Sequence, residues 1–115
     1  MKKYLAKLLF NVKAGESTHA AEFDEQVRII ESSSLEGAFY KARSIGKKEE
    51  GYVNGKSNSR YYWQFIDVAE VYPIGDMKDG EQVYSNTHKM EDGGSYIHYI
   101  KQKSMELQVK TLTFV

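Results

Sequence analysis

Apolar side chains recur at every second position from Lys3 to Lys13. Tyr4, Ala6, Leu8, Phe10 and Val12 fall on one side of an extended chain, and Leu5, Lys7, Leu9, Asn11 and Lys13 on the other. Side chains alternate across a sheet with period two, so this spacing predicts a strand. The pattern resumes from Phe23 to Glu31, with Phe23, Glu25, Val27 and Ile29 facing one way and Asp24, Gln26, Arg28 and Ile30 the other. The small, polar stretch from Ala14 to Glu22 reads as a connection between antiparallel neighbours.

After Glu31 the period changes. Leu35, Ala38, Phe39, Ala42 and Ile45 fall at helical spacing, with Lys41, Arg43 and Lys47 outside the stripe. Ser33 and Glu36 fit a capping box, in which each side chain satisfies a free N–H at the start of a helix. The predicted helix runs from Ser34 to Gly46. Gly37 weakens it by up to about 1 kcal/mol relative to alanine, and Gly46 serves as a C-terminal stop. Such a stripe on a small domain is a face for packing on a sheet.

The stretch from Arg60 to Pro73 holds the single tryptophan and three of the nine tyrosines. Its aromatic and β-branched content predicts a long central strand. Tyr61, Trp63, Phe65, Asp67, Ala69 and Val71 share one face, and Tyr62, Gln64, Ile66, Val68, Glu70 and Tyr72 the other. Asp67 breaks the apolar face. A bulge there would turn it outward and bring Val68 inward, and Arg28 or Arg60 would be its counter-ion. The preceding segment, Tyr52 to Ser59, contains the tight-turn pair Asn54-Gly55 and forms either a short hairpin arm or a loop. Beyond Pro73, Glu81 to Thr87 reads as a short strand anchored by Val83 and turned back on the central strand at Asp79-Gly80. Ser95 caps a helix over Ser95 to Gln102, which is favoured over an alternating reading with Tyr96, His98 and Ile100 opposite Ile97 and Tyr99. Leu107 to Val115 has the β-branched content of a strand or is a tail that orders only against a partner.

These elements predict a single α+β domain over residues 1–115, with residues 91–115 as a C-terminal extension. An antiparallel sheet, ordered β-β-α-β-β in sequence, packs one main helix on one face, and a C-terminal helix follows. At 115 residues such a chain buries about two thirds of its unfolded surface, enough for a core. Sixteen basic and sixteen acidic side chains cancel. No global field draws the chain to nucleic acid or to an anionic membrane. Cysteine is absent, which excludes disulfides and thiolate chemistry and suits a reducing cytoplasm. Lys2 and Lys3 ahead of a short apolar run imitate a signal peptide, but Lys7 interrupts the run and no small-residue cleavage site follows Phe10. No run reaches the roughly 18 apolar residues of a membrane span.

The segments YLAKLLF (Tyr4 to Phe10), VRIIESSSLEGAFYKARSIG (Val27 to Gly46), YYWQFIDVAEVYPIGD (from Tyr61) and DGEQVYS (Asp79 to Ser85) resemble a bacterial family of small proteins known as domain of unknown function 4288. The likeness covers roughly residues 4–87. It implies an α+β domain of bacterial origin and carries no catalytic signature or activity with it.

The candidate chemistry is sparse. His19, His88 and His98 lie far apart, without the spacing of a local metal motif. No phosphate loop, dinucleotide fingerprint or nucleophile elbow is present. Asp67 and Glu70 are the carboxylates set within the most apolar strand. Aromatic residues make up 13% of the chain, but the basic residues are scattered and matched by acids. That argues against single-strand nucleic-acid binding. No catalytic residue, metal or cofactor is expected. Tyrosine, tryptophan and arginine are enriched at interface hot spots, so a protein partner or a second copy is the leading expectation. A toxin-neutralising immunity protein is one concrete form of it. The expected surface comprises Arg28, Arg60, Tyr62, Gln64, Glu70 and Tyr72. The alternative is a small-molecule or enzymatic pocket on the open sheet face around Arg28, Tyr62, Gln64 and Glu70.

Overall fold

The computed structural model describes residues 1–14, 21–54 and 60–113. The chain divides into two compact units, Met1–Val83 and Tyr84–Val115.

The first unit is a sheet under a helix. Its strands are β1 (Lys2–Ala14), β2 (Glu22–Ser32), β3 (Gly51–Asn54) and β4 (Arg60–Ile74), and its helix is α1 (Leu35–Glu49). The sheet is antiparallel throughout, in the spatial order β2-β1-β4-β3. The period-two row of β1 forms the centre of the core. Tyr4, Ala6, Leu8 and Phe10 are buried, together with Ile30 from β2, Phe65 from β4, and Ala38 and Ala42 from α1. Trp63, Val68, Val71 and Ile45 pack around this cluster. Phe10 meets Phe65 and Trp63 at ring-centroid distances of 5.4 and 5.8 Å, both tilted, a geometry that aromatic pairs prefer over a face-to-face sandwich.

The order β-β-α-β-β holds, but the strand beside the central one is Gly51–Asn54 and not Glu81–Thr87. Tyr52 and Val53 supply the β content there, and Gly51 at φ 150° turns the chain from α1 straight into β3. Residues 81–87 make no ladder, and Val83 is exposed. The Asn54-Gly55 turn falls partly outside the described residues, as does most of the Ala14 to Glu22 connection.

The helix cap is Ser34, not Ser33. Ser34 is extended (φ −148°, ψ 160°) and its Oγ accepts from the Gly37 N–H at 3.0 Å, one of the helix-start donors that lack an internal partner. Gly46 does not end the helix, which continues to Glu49. Instead the Gly46 backbone lies against the Phe65 ring, in the space a Cβ would occupy. The covered row of α1 is Ala38, Ala42 and Gly46, four residues apart. Leu35, expected in that stripe, is half exposed.

The bulge expected at Asp67 is present as two register shifts in the β1–β4 ladder, between Lys7 and Leu8 and between Leu9 and Phe10. Ile66 and Ala69 are the residues left without a β1 partner. The shifts place Val68 against the core. Asp67 pairs with Arg43 of α1, neither with Arg28 nor with Arg60.

The second unit is built on α2 (Gly93–Thr113). Asp92, not Ser95, caps it: its carboxylate accepts from the Ser95 N–H at 3.0 Å and from the Ser95 hydroxyl at 2.7 Å. The helix continues through 107–113, where a strand or a partner-ordered tail was expected. Extending a formed helix adds one hydrogen bond per residue fixed, and that outweighs the weak β preference of Val109 and Thr111. Ile97, Ile100, Met105, Leu107, Val109 and Leu112 are all exposed. No helix among the described residues is long and apolar enough to cross a membrane.

Gly46→Ala should destabilise the first unit although alanine favours a helix by about 1 kcal/mol over glycine. Overpacking against Phe65 costs about 1–3 kcal/mol and decides the sign. Adding Phe65→Leu should make the second change less harmful than it is alone. A double-mutant cycle from urea unfolding reads this coupling directly.

Candidate functional site

Away from the register shifts around Asp67, residues directly opposite in an antiparallel ladder share a face. The register therefore sorts the sheet into a side covered by α1 and a side left open. Leu5 lies between Ile29 and Tyr72, Lys7 between Val27 and Glu70, and Asn11 between Phe23 and Gln64, while Lys13 pairs with Tyr62. These rows form the open side. Phe23, Val27 and Ile29 on it are 59%, 51% and 54% exposed, so they are apolar side chains that the fold itself leaves in water.

One charge cluster sits among them. The Lys7 ammonium lies 3.0 Å from Glu25 Oε1 and 3.7 Å from Glu70 Oε2, bridging β2, β1 and β4. The Lys7 side chain is only 13% exposed, so its aliphatic stem covers the sheet while both carboxylates remain in solvent. At the β3 end, Tyr52 and Tyr62 pack edge to face with centroids 5.0 Å apart. The Arg60 guanidinium covers the Tyr52 ring at 4.5 Å. The Tyr62 hydroxyl donates to Glu50 Oε1 at 3.0 Å. That bond holds the phenol proton and raises the Tyr62 pKa.

Of the six residues expected to form the surface, Tyr62, Gln64, Glu70 and Tyr72 share the open side, and Arg60 joins them through Tyr52. Arg28 does not. It lies opposite the buried Ala6, on the helix side, where its Nη2 reaches Glu49 Oε2 at 2.6 Å. Arg28 Nε and Nη2 also donate to Gln26 Oε1, and Gln26 Nε2 donates to Asp24 Oδ2 at 2.8 Å. Asp24, Gln26 and Arg28 thus form a linked polar row along the outermost strand. The residues that sequence reasoning missed are Phe23, Val27 and Ile29. Their alternation was visible; what would have placed them is the pairing of Ile30 with Tyr4, which puts the other face of β2 inside.

On the helix side, Arg43 holds Asp67 with both ends of its fork, Nε to Oδ1 at 3.1 Å and Nη2 to Oδ2 at 3.0 Å, while stacking over Phe39. The Asp67 carboxyl lies below its ordinary value, first because Arg43 bonds it and then because the Val68 N–H does. Beside this pair, a groove of about 400 Å³ runs between α1 and β4, with Leu35, Phe39, Val68 and Val71 in its lining. Among the described residues, no group of three or more histidine, aspartate or glutamate side chains is gathered to hold a metal ion.

A four-stranded antiparallel sheet with a helix on one face, in the order β-β-α-β-β, defines the first unit as an α+β domain. A family model described as Domain of unknown function (DUF4288) matches residues 3–85, and the chain belongs to that family. The matched stretch holds the sheet, except Lys2 at the start of β1, and α1; α2 lies beyond it. No curated protein and no solved structure matches the chain.

The lowered Asp67 pKa makes a prediction about acid. A carboxylate whose folded value is depressed contributes stability that is full above the unfolded value, about 3.9, and is lost as pH falls through the lowered folded value. Asp67→Asn should therefore flatten the decline of unfolding free energy between neutral and acidic pH. Denaturant titrations at a series of pH values check it, and Arg43→Met should flatten the same segment of the curve.

Proposed function

We propose that this protein is a non-catalytic interaction module that associates with a second copy of itself through the open side and outer strand of its sheet. One observation carries the reading: Phe23, Val27 and Ile29, on the same face of the outermost full-length strand with Glu25 among them, are each more than half exposed. Exposed apolar side chains gathered on one face in this way support a contact surface. The tyrosines and Arg60 at the β3 end add residue types that anchor interfaces.

The alternative of a polar pocket on the open side has less support. Arg28 lies on the opposite side from Tyr62, Gln64 and Glu70, so those four groups do not converge. The cysteine-free composition suits a cytoplasmic setting, and the family resemblance implies a bacterial origin; both are part of the proposal.

Light scattering or sedimentation equilibrium from micromolar to millimolar concentration tests it. The weight-average mass should rise from 13.2 kDa towards twice that value. A mass that stays at the monomer value across the range overturns the proposal.

A further inference from the structure

Edge strands present unpaired backbone donors and acceptors, and proteins blunt them with short length, bulges, proline or charge. The edges of this sheet are treated differently. β3 is four residues long, and the part of β4 beyond it carries two register shifts and Pro73. β2 is eleven residues long, without proline or glycine, and pairs with β1 in unbroken register from Lys2–Ser32 to Val12–Glu22. Among the described residues its guard is charge, and that charge is of mixed sign.

Resting on the self-association proposed above, we infer that β2 pairs antiparallel with β2 of a second copy, about a two-fold axis through Gln26, extending the sheet to eight strands. Two features select this register. A perpendicular two-fold and the pleat together require one residue to lie opposite itself, since opposed residues share a face. The usable edge is also bounded. The Lys41 ammonium donates to the Glu31 carbonyl at 3.1 Å and occupies the C-terminal end. The segment from Glu22 to Ile30 remains, and its midpoint is Gln26.

In that register Asp24 of each copy faces Arg28 of the other, and Phe23 faces Ile29. The acid and the base at the ends of the polar row each meet their opposite, while Glu25, which stands between Phe23 and Val27 on the open side, faces Val27 with its carboxylate in solvent. Within one copy Arg28 uses Nε and Nη2 for Gln26 and Glu49. A guanidinium has five donors, so Nη1 can serve the incoming Asp24. A shift of the axis to Val27 would set Asp24 against Ile30 and Gln26 against Arg28, so that neither charge of the polar row would meet its opposite. A shift to Glu25 would set two glutamates face to face, which is unfavourable. Stacking two open sides instead would bury Glu25 and Glu70, now 58% and 46% exposed, and ions taken from water in this way carry a large penalty. Edge pairing leaves the Lys7 cluster wet.

The chain has no cysteine, so single cysteines report the register cleanly. Under mild oxidation Gln26→Cys should cross-link to a disulfide dimer, since opposed residues across a ladder have Cα atoms about 4.5–5.5 Å apart. Asp24→Cys alone should stay monomeric on a non-reducing gel. Its own copy lies four residues along the partner strand, about 13 Å away, beyond the roughly 7 Å a disulfide spans. Asp24→Cys mixed with Arg28→Cys should cross-link. In parallel, Asp24→Arg and Arg28→Asp should each weaken self-association about tenfold or more, and an equimolar mixture should recover it as a heterodimer. Circular dichroism verifies that each variant is folded. If the wild-type chain self-associates while the Gln26→Cys variant stays reduced, the β2 register is wrong and the interaction reading survives on another surface. If the wild-type mass stays at the monomer value and the Gln26→Cys variant stays reduced, both fall.

Discussion

The close seating of α1 on the sheet is the contact on which the rest depends. Ala38, Ala42 and Gly46 recur every fourth residue and form one ridge of the helix. Their small size lets the helix backbone come down onto Phe65, with Leu8 and Phe10 in the same buried cluster. A larger residue anywhere in that row would lift the helix from the rings. The seating decides which side of the sheet is dry, and so which side is wet. It also decides where the helix's charges go. Arg43 reaches Asp67, Glu49 reaches Arg28 and Lys41 reaches the Glu31 carbonyl, so three corners of the sheet are tied to one helix.

Much of this was legible because the core rows follow simple periods. The alternation in β1 and the helical spacing of α1 identify both layers, and their register sets Tyr4, Ala6, Leu8 and Phe10 against Ala38 and Ala42. Reading failed where one residue type serves two purposes. Gly46 looks like a helix terminator, since glycine commonly ends helices, but here it serves close approach to Phe65. Asp67 looks like a defect in an apolar face. Its true partner, Arg43, lies 24 residues away on another element, a distance that local patterning does not report. In 81–87, Val83 has no further apolar residue on its own face to hold a strand down, and the β content of Tyr52 and Val53 wins the place beside β4.

The candidate surface was half legible for a related reason. Tyr62, Gln64, Glu70 and Tyr72 fall on one side of the sheet because they belong to one strand, where period two suffices. Assigning β2 required knowing which of its two faces meets the helix, and both offer isoleucine. The linked row Asp24–Gln26–Arg28 occupies the inner direction beside a single buried residue, Ile30, while Phe23, Val27 and Ile29 point to water. A strand that turns its polar row towards the helix and its apolar row towards solvent is inverted relative to the usual antiparallel pattern of apolar-in and polar-out. Nothing in its own alternation signals the inversion.

That inversion bears on why the outer strand is not simply a defect of the fold. Burial would favour turning Val27 and Ile29 inward, yet the register with β1 is unbroken over eleven pairs and keeps them out. Slipping β2 by one residue would exchange its two faces and bring the apolar row inside. It would also break the link from Arg28 to Glu49 and move Ile30 out of the core, where it is one of the three largest fully buried side chains. Ile30 against Tyr4, with Arg28 anchored on Glu49, thus holds the strand in the register that leaves Phe23, Val27 and Ile29 in water. The exposed row is a consequence of the same contacts that make the core, so a substitution there can alter what the surface meets without loosening the sheet beneath it.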